Sequence, residues 1–200
     1  MATRAIHLEL VEGYSTLTFI GAFSRFCAQR GLPSAMYSDN GTNFVGAERE
    51  LTAAFRAAIR DPDFLNRTAS DRITWHFMPP SAPHFGGLWE AGVRSVKHHL
   101  RRVIGAHTLT FEEFSTVLCN VKACLNSRPL APLNDSVDDY EPLTPGHFLI
   151  GSALTAVPEP SVLNLRENRL SRWQLVRQIS ERFWKLWLDD YVNTLQQRVK

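Results

Sequence analysis

Two stretches of the chain alternate between hydrophobic and polar residues, and a short apolar stretch lies between them. The alternation covers Ala5–Val11 and Ile73–Met78, and this period of two is typical of strands with one buried face. The apolar stretch Ala35–Ser38 runs directly into Asp39. The pattern therefore predicts three short strands, and Pro79–Pro80 ends the last of them.

Helical patterns follow each predicted strand. We expect helices over Ser15–Arg30, Ala47–Ile59, Gly87–Ile104 and Thr110–Asn126, and a final one from about Asn168 onward. Ser15 is a suitable N-cap and Gly31 a suitable stop, while Thr110 and Glu113 have the spacing of a capping box. Residues 127–168 hold many of the prolines and predict extended connections. Strands that alternate with helices indicate an α/β fold.

Composition places the chain among ordinary globular proteins. The 200 residues are 44% hydrophobic and 21% charged, and the formal net charge is +2. A nearly neutral chain has no global signature of a nucleic-acid binder, so any basic surface must be local. Three cysteines without metal-ligand spacing favour reduced thiols. With no long apolar run and no signal-peptide pattern, we expect an intracellular protein without a membrane partner.

The first candidate site is the segment Asp39–Phe44, which follows the second predicted strand. Asp39 would project from the end of that strand, where sites in open α/β sheets usually lie. Gly41 lets the backbone turn sharply without a Cβ penalty. A simple turn is the alternative, because Asp, Asn and Gly are all common turn residues.

The second candidate site is Glu90, which falls in the first turn of a predicted helix just after Gly86 and Gly87. Three basic residues continue the same helical face, namely Arg94, Lys97 and Arg101. We expect these three to contact the phosphate backbone of DNA. The alternative is a solvated helix surface in which Glu90 pairs with Arg94.

Asp39 and Glu90 together indicate a cation. Two carboxylates about 4 Å apart repel by about 4 kcal/mol at an effective dielectric near 20. Bound Mg²⁺ or Mn²⁺ would remove that repulsion, because hard divalent ions prefer carboxylate oxygen. Two such ions about 3.5–4 Å apart can serve phosphoryl transfer. We therefore predict that Asp39 and Glu90 are metal ligands and catalytic residues.

The segments Asp39–Phe44 and Pro83–Glu90 resemble the second and third acidic motifs of retroviral-type integrases. With Thr3–Glu9 added, the resemblance is closest to the BEL/Pao class of long-terminal-repeat retrotransposons, and it covers roughly residues 3–150. It implies a ribonuclease H-like fold, a mixed sheet flanked by helices. It also implies a DDE triad that holds two Mg²⁺ or Mn²⁺ ions and joins element DNA to host DNA.

The same resemblance implies further properties of the chain. Residues of the site loops would be Asn40, Gly41, Asn43, His84, Gly86 and Gly87. The partners would be DNA ends, target DNA and further copies of the chain, and the place of action would be the nucleus. We expect residues 1–150 to form the catalytic core. Residues 151–200 would form a linker and the start of a C-terminal helical extension.

One departure from the family pattern concerns activity. The first aspartate of the family lies on a strand before Ala5–Val11, and no residue of this sequence occupies that place. We therefore expect the first strand to be missing and the chain as written to be inactive in strand transfer, which leaves open whether it is an enzyme. The alternative is a non-catalytic DNA-binding or interaction protein derived from a transposable element. A weaker alternative is a metal-dependent nuclease of the same fold.

Overall fold

The computed structural model describes residues 3–39, 42–58, 73–77, 87–133 and 141–195, without the side chains of 42–43, 54–58 and 87–90. The elements in chain order are α1 (Thr16–Arg30), β1 (Ala35–Ser38), α2 (Thr42–Ala58), β2 (Thr74–Phe77), α3 (Gly87–Ile104), α4 (Phe111–Asn126), β3 (Ala131–Pro132), β4 (Pro142–Leu143), α5 (Pro145–Ile150) and α6 (Arg172–Leu195). The predicted α/β class is confirmed, with more helix than strand.

The chain divides into two compact units. Val11–Val93 forms one, which we call the sheet unit, and Met1–Leu10 with Arg94–Lys200 forms the other, which we call the helical unit. These packing units differ from the predicted blocks 1–150 and 151–200, because α6 packs along α4. The predicted blocks describe a functional division, which stays a prediction.

The sheet unit is built on α1 and a parallel pair of strands. The Ser15 hydroxyl accepts from the Thr18 N–H at 3.1 Å, and Gly31 ends the helix with a φ of 83°, so both predicted boundaries of α1 are confirmed. β1 and β2 are parallel, with Ser38 opposite Phe77. Both strands lie within the predicted stretches.

Helix α2 starts at Thr42, five residues before the predicted start at Ala47. Tertiary contacts explain the extra turn. The Phe44 ring meets the Phe19 ring of α1 edge-on at 4.8 Å. Gly46 lies so close to Thr16 that a Cβ there would approach the threonine hydroxyl to 2.3 Å. These contacts with α1 hold the first turn of α2 in helical form.

The helical unit encloses most of the buried apolar side chains that the structure describes. Helix α3 begins and ends where predicted, and α4 has the predicted capping box between Thr110 and Glu113. The core of this unit consists of Val96, Leu100, Val103, Val117, Leu118, Val121, Leu125, Leu175, Val176, Ile179, Phe183 and Trp187. These side chains come from α3, α4 and α6, so the final helix is part of the core, as its aromatic residues suggest.

The predicted strand over Ala5–Val11 is wrong. These residues form no strand in the described structure, although Ile6, Leu8 and Leu10 do pack their alternate side chains on the helical core. The Asn126 amide replaces a neighbouring strand: its Oδ1 accepts from the Ile6 N–H and its Nδ2 donates to the Ile6 carbonyl, both at 2.8 Å. The buried Arg128 guanidinium donates to the carbonyls of Leu125 and Arg4. At Arg4 and Ile6 the backbone groups are therefore bound by side chains instead of by a neighbouring strand.

The described parts of the connection before α6, residues 127–133 and 141–168, are extended as predicted, apart from α5, the short β3–β4 pair and a 3-10 turn at Glu167–Arg169. Its residues 159–165 are held along α6 by hydrogen bonds and an ion pair. The buried Gln178 amide donates to the carbonyls of Val162 and Leu165 at 2.8 and 3.0 Å. Arg177 donates to the Pro160 carbonyl and pairs with Glu159. These polar contacts and the buried Val162 thus fix residues 159–165 along α6.

The described strands form two separate two-stranded sheets, one parallel and one antiparallel. This mixed arrangement agrees with the α/β class and is coarser than the ribonuclease H-like fold, which stays a proposal. Within the described ranges, every helix is too short or too polar to span a lipid bilayer.

Candidate functional site

Asp39 lies exposed at the carboxyl end of β1, as predicted. The buried Ser38 fixes the backbone at this point, because its hydroxyl donates to the Asp39 carbonyl at 3.0 Å. The same hydroxyl accepts from the Trp75 indole N–H of β2 at 2.9 Å. No pattern in the sequence indicates a functional role for Ser38 or Trp75. Together they tie the start of the acidic motif to the neighbouring strand.

The pairing of the strands decides where the two acidic motifs leave the sheet. Ser38 lies opposite Phe77 in a parallel ladder, so β1 and β2 end side by side at the same edge. Asp39 follows directly from β1, and the chain beyond Phe77 leads to α3, in which Glu90 is the fourth residue. Both predicted acids therefore belong to segments that start from one edge of one unit.

The Glu90 side chain lies outside the described residues, so its distance from the Asp39 carboxylate stays a prediction. Among the side chains that the structure describes, no group of three acidic, histidine or cysteine residues comes together in a way that could hold a metal ion. The Glu90 side chain is not among them, so the role of Asp39 and Glu90 as metal ligands stays a prediction.

Some of the predicted loop residues lie within the described ranges, and the others lie outside them. Asn40, Gly41, His84 and Gly86 lie outside them. Asn43 and Gly87 have described backbones, and each belongs to the first turn of a helix, α2 and α3 respectively. Strand β1 ends at Ser38 and helix α2 begins at Thr42. The Asp39–Phe44 motif therefore contains the start of a helix and is more helical than predicted.

The predicted DNA-binding residues Arg94, Lys97 and Arg101 are all exposed on α3. The opposite side of the helix is buried and carries Val96, Leu100 and Val103. Among the residues that the structure describes, no ion pair involves any of the three cations. Their charges therefore face solvent, in a row along one helical face, as the spacing predicts.

The adjacent histidines of α3 differ in their surroundings, since His98 is exposed and His99 is buried. His99 is 2% exposed, its ring meets Phe183 edge-on at 5.8 Å, and its Nε2 lies 3.4 Å from an Asp190 carboxylate oxygen. Its Nδ1 is buried and has no hydrogen-bond partner among the described residues. Burial lowers the pKa of His99, although the nearby Asp190 charge raises it. His99 is thus a core residue that links α3 to α6.

The C-terminal helix lies in a segment that matches a known family model. Residues 171–200, which hold α6, match a family of unknown function, DUF5641. A search of curated protein sequences found no match to the chain. Because the matching family has no described function, it assigns none to α6. The match neither supports nor opposes the resemblance to integrases, which rests on residues 3–150.

Proposed function

We propose that the chain belongs to the catalytic core of a retroviral-type integrase of the BEL/Pao class and acts on DNA. The observation that carries this proposal is the parallel pairing of β1 with β2. Because the carboxyl ends of parallel strands meet at one edge, the segments that carry Asp39 and Glu90 start close together. The order β1, α2, β2, α3 with parallel strands also supports a ribonuclease H-like fold.

In this proposal Asp39 and Glu90 hold Mg²⁺ or Mn²⁺. Carboxylate oxygens are the donors that these hard ions prefer, and Asp39 is exposed at a strand end fixed by Ser38, so the donor chemistry fits. When bound, the ions would activate an attacking oxygen and stabilise the leaving oxygen in phosphoryl transfer. The resemblance implies a third carboxylate, and we assign that role to none of the 200 residues.

The exposed cations of α3 supply the second part of the proposal. Arg94, Lys97 and Arg101 would hold the phosphates of the substrate strand, which gives binding that weakens with salt and depends little on sequence. Each phosphate contact adds about one unit to the salt slope of the affinity. The resemblance further suggests a nuclear protein that acts as a homo-oligomer.

Calorimetric titration of the full chain with Mn²⁺ tests the metal site. Asp39→Asn and Glu90→Gln should each weaken Mn²⁺ binding by more than about tenfold, since even the loss of outer-shell partners costs roughly 10- to 100-fold in metal affinity. Glu50→Gln is the matched control, because Glu50 is an exposed acid of the same unit. Unchanged Mn²⁺ affinity in either site variant would remove that residue from the metal site.

A non-catalytic DNA-binding protein is the second candidate, and the solvent-facing row on α3 favours it. It predicts DNA binding without Mn²⁺ binding, so the same titration separates the two. In both cases Arg94→Ala, Lys97→Ala and Arg101→Ala should each lower the salt slope by about one. Thr108→Ala, at an exposed neutral position in the same unit, should leave the slope unchanged. A flat salt dependence in the wild-type protein would contradict DNA contact by this face.

A further inference from the structure

The parallel sheet has two faces of different character. Trp75 faces α1 and packs against Phe19 and Phe23, with ring centroids 6.1 and 6.2 Å apart. The buried Ser38 shares this inner face with Trp75, since its hydroxyl accepts the indole N–H. Side chains alternate between the two faces of a strand, so Tyr37 and His76 stand on the outer face. The inner face is thus covered by α1.

The outer face carries an exposed pair of rings. Tyr37 lies opposite His76 in the strand register, and the two rings stack with centroids 4.6 Å apart and planes within 14° of parallel. Tyr37 is 61% exposed, and His76 is also exposed. Parallel sheets are normally covered on both faces, so two flat rings left in solvent on such a sheet call for a partner.

Asp39 directly follows β1 and is exposed. It is two residues after Tyr37, so continued strand alternation would place it on the side of these rings. The other described positions of the outer face are Ala35 and Thr74, opposite each other in the register. Neither lysine nor arginine occupies any of these positions. The face therefore offers flat π surfaces rather than cations, which suits a nucleobase better than a phosphate.

We propose that Tyr37 and His76 form a stacking platform for an unpaired base of a DNA strand end, next to Asp39. This inference rests on the proposed function, and it names the part of the substrate that this face receives. Stacking of a base on Tyr37 would hold the adjoining phosphate near Asp39. Because every base has a π face, the platform would accept any sequence but would require a base that is not paired.

Fluorescence of 2-aminopurine tests the platform in the full chain. The probe is a short single-stranded oligonucleotide with 2-aminopurine near its 3′ end, measured in EDTA so that no divalent ion contributes. The wild-type protein should quench the probe. Tyr37→Ala should restore its fluorescence and weaken binding roughly 5- to 150-fold, the range for loss of one aromatic–base stack. Tyr37→Phe keeps the ring and should bind within about twofold of wild type.

Two further variants make the test specific. Thr74→Ala changes the same outer face without removing a ring and should leave both quenching and affinity unchanged. Tyr37→Leu keeps apolar bulk without a π surface, so it should lose quenching like Tyr37→Ala. If Tyr37→Ala unfolds the sheet, Tyr37→Leu still tests the platform. A wild-type protein that does not quench the probe, or a Tyr37→Leu variant that quenches fully, would overturn the platform. Failure of Mn²⁺ binding, by contrast, would overturn the metal site and leave this result standing.

Discussion

The two units of the chain differ in how their elements are held. In the helical unit, three helices enclose a shared apolar core, and buried polar groups such as Asn126 and Gln178 bind backbone atoms far away in sequence. In the sheet unit, the described structure is a two-stranded sheet with α1 on one face and exposed rings on the other. The acidic motifs belong to the second unit. Most of the described apolar core therefore lies in one unit, and the two acidic motifs lie in the other.

The largest effect should come from the centre of the helical core. Phe183 is fully buried, at 0% exposure, so Phe183→Ala should lower the free energy of unfolding by about 3–5 kcal/mol. Trp184, the next residue, is 40% exposed and serves as the control. Trp184→Ala should cost clearly less in urea denaturation. Equal losses of unfolding free energy in the two variants would show that Phe183 does not lie at the centre of the core.

A smaller effect should come from the sheet unit. Ser38→Ala removes the acceptor of the Trp75 indole N–H and the donor to the Asp39 carbonyl, and an unsatisfied buried group costs about 1–3 kcal/mol. Hydrogen exchange of the β1 and β2 amides should accelerate accordingly. Ser34→Ala, at an exposed position just before β1, is the control and should change little. If both variants exchange alike, the Ser38 bridge does not hold the strand ends together.

The smallest effect concerns pH and the contact between the N-termini of α4 and α6. Hydrogen bonds from Arg172 and from the Thr110 N–H lower the pKa of Glu113 from about 4.5 to about 2. Because the folded pKa is the lower one, this stabilisation is fully present above pH 4.5 and is lost as the pH falls towards 2.

Melting temperatures measured across that range give the test. Glu113→Gln should melt below wild type at neutral pH, and the difference should shrink as the pH falls through the same interval. Glu112→Gln, in the same helical turn but outside the capping box, should show no such trend. A difference between Glu113→Gln and wild type that stays constant down to pH 2 would contradict the low pKa.

Predictions from the sequence were most accurate where the signal and its structural partner are close together. Ser15 caps α1 through Thr18, three residues on, and Thr110 pairs with Glu113 in the same way. The start of α2 was wrong because it depends on Phe19 and Thr16, which belong to another helix. For the candidate site, the sequence predicted that Asp39 ends a strand, but it did not identify Ser38 or Trp75, since nothing near them reveals a cross-strand hydrogen bond.

The sequence by itself determined the local elements: the period of each segment, the caps of α1 and α4, and the strand end that carries Asp39. Only the tertiary structure decided what those elements pair with. The alternation over residues 5–10 is the same whether the segment joins a sheet or lies on helices. In the structure the Ile6 backbone is bound by the Asn126 side chain, 120 residues along the chain. Hydrophobic periodicity states which side of a segment is buried. The groups that satisfy its backbone are chosen by the fold as a whole.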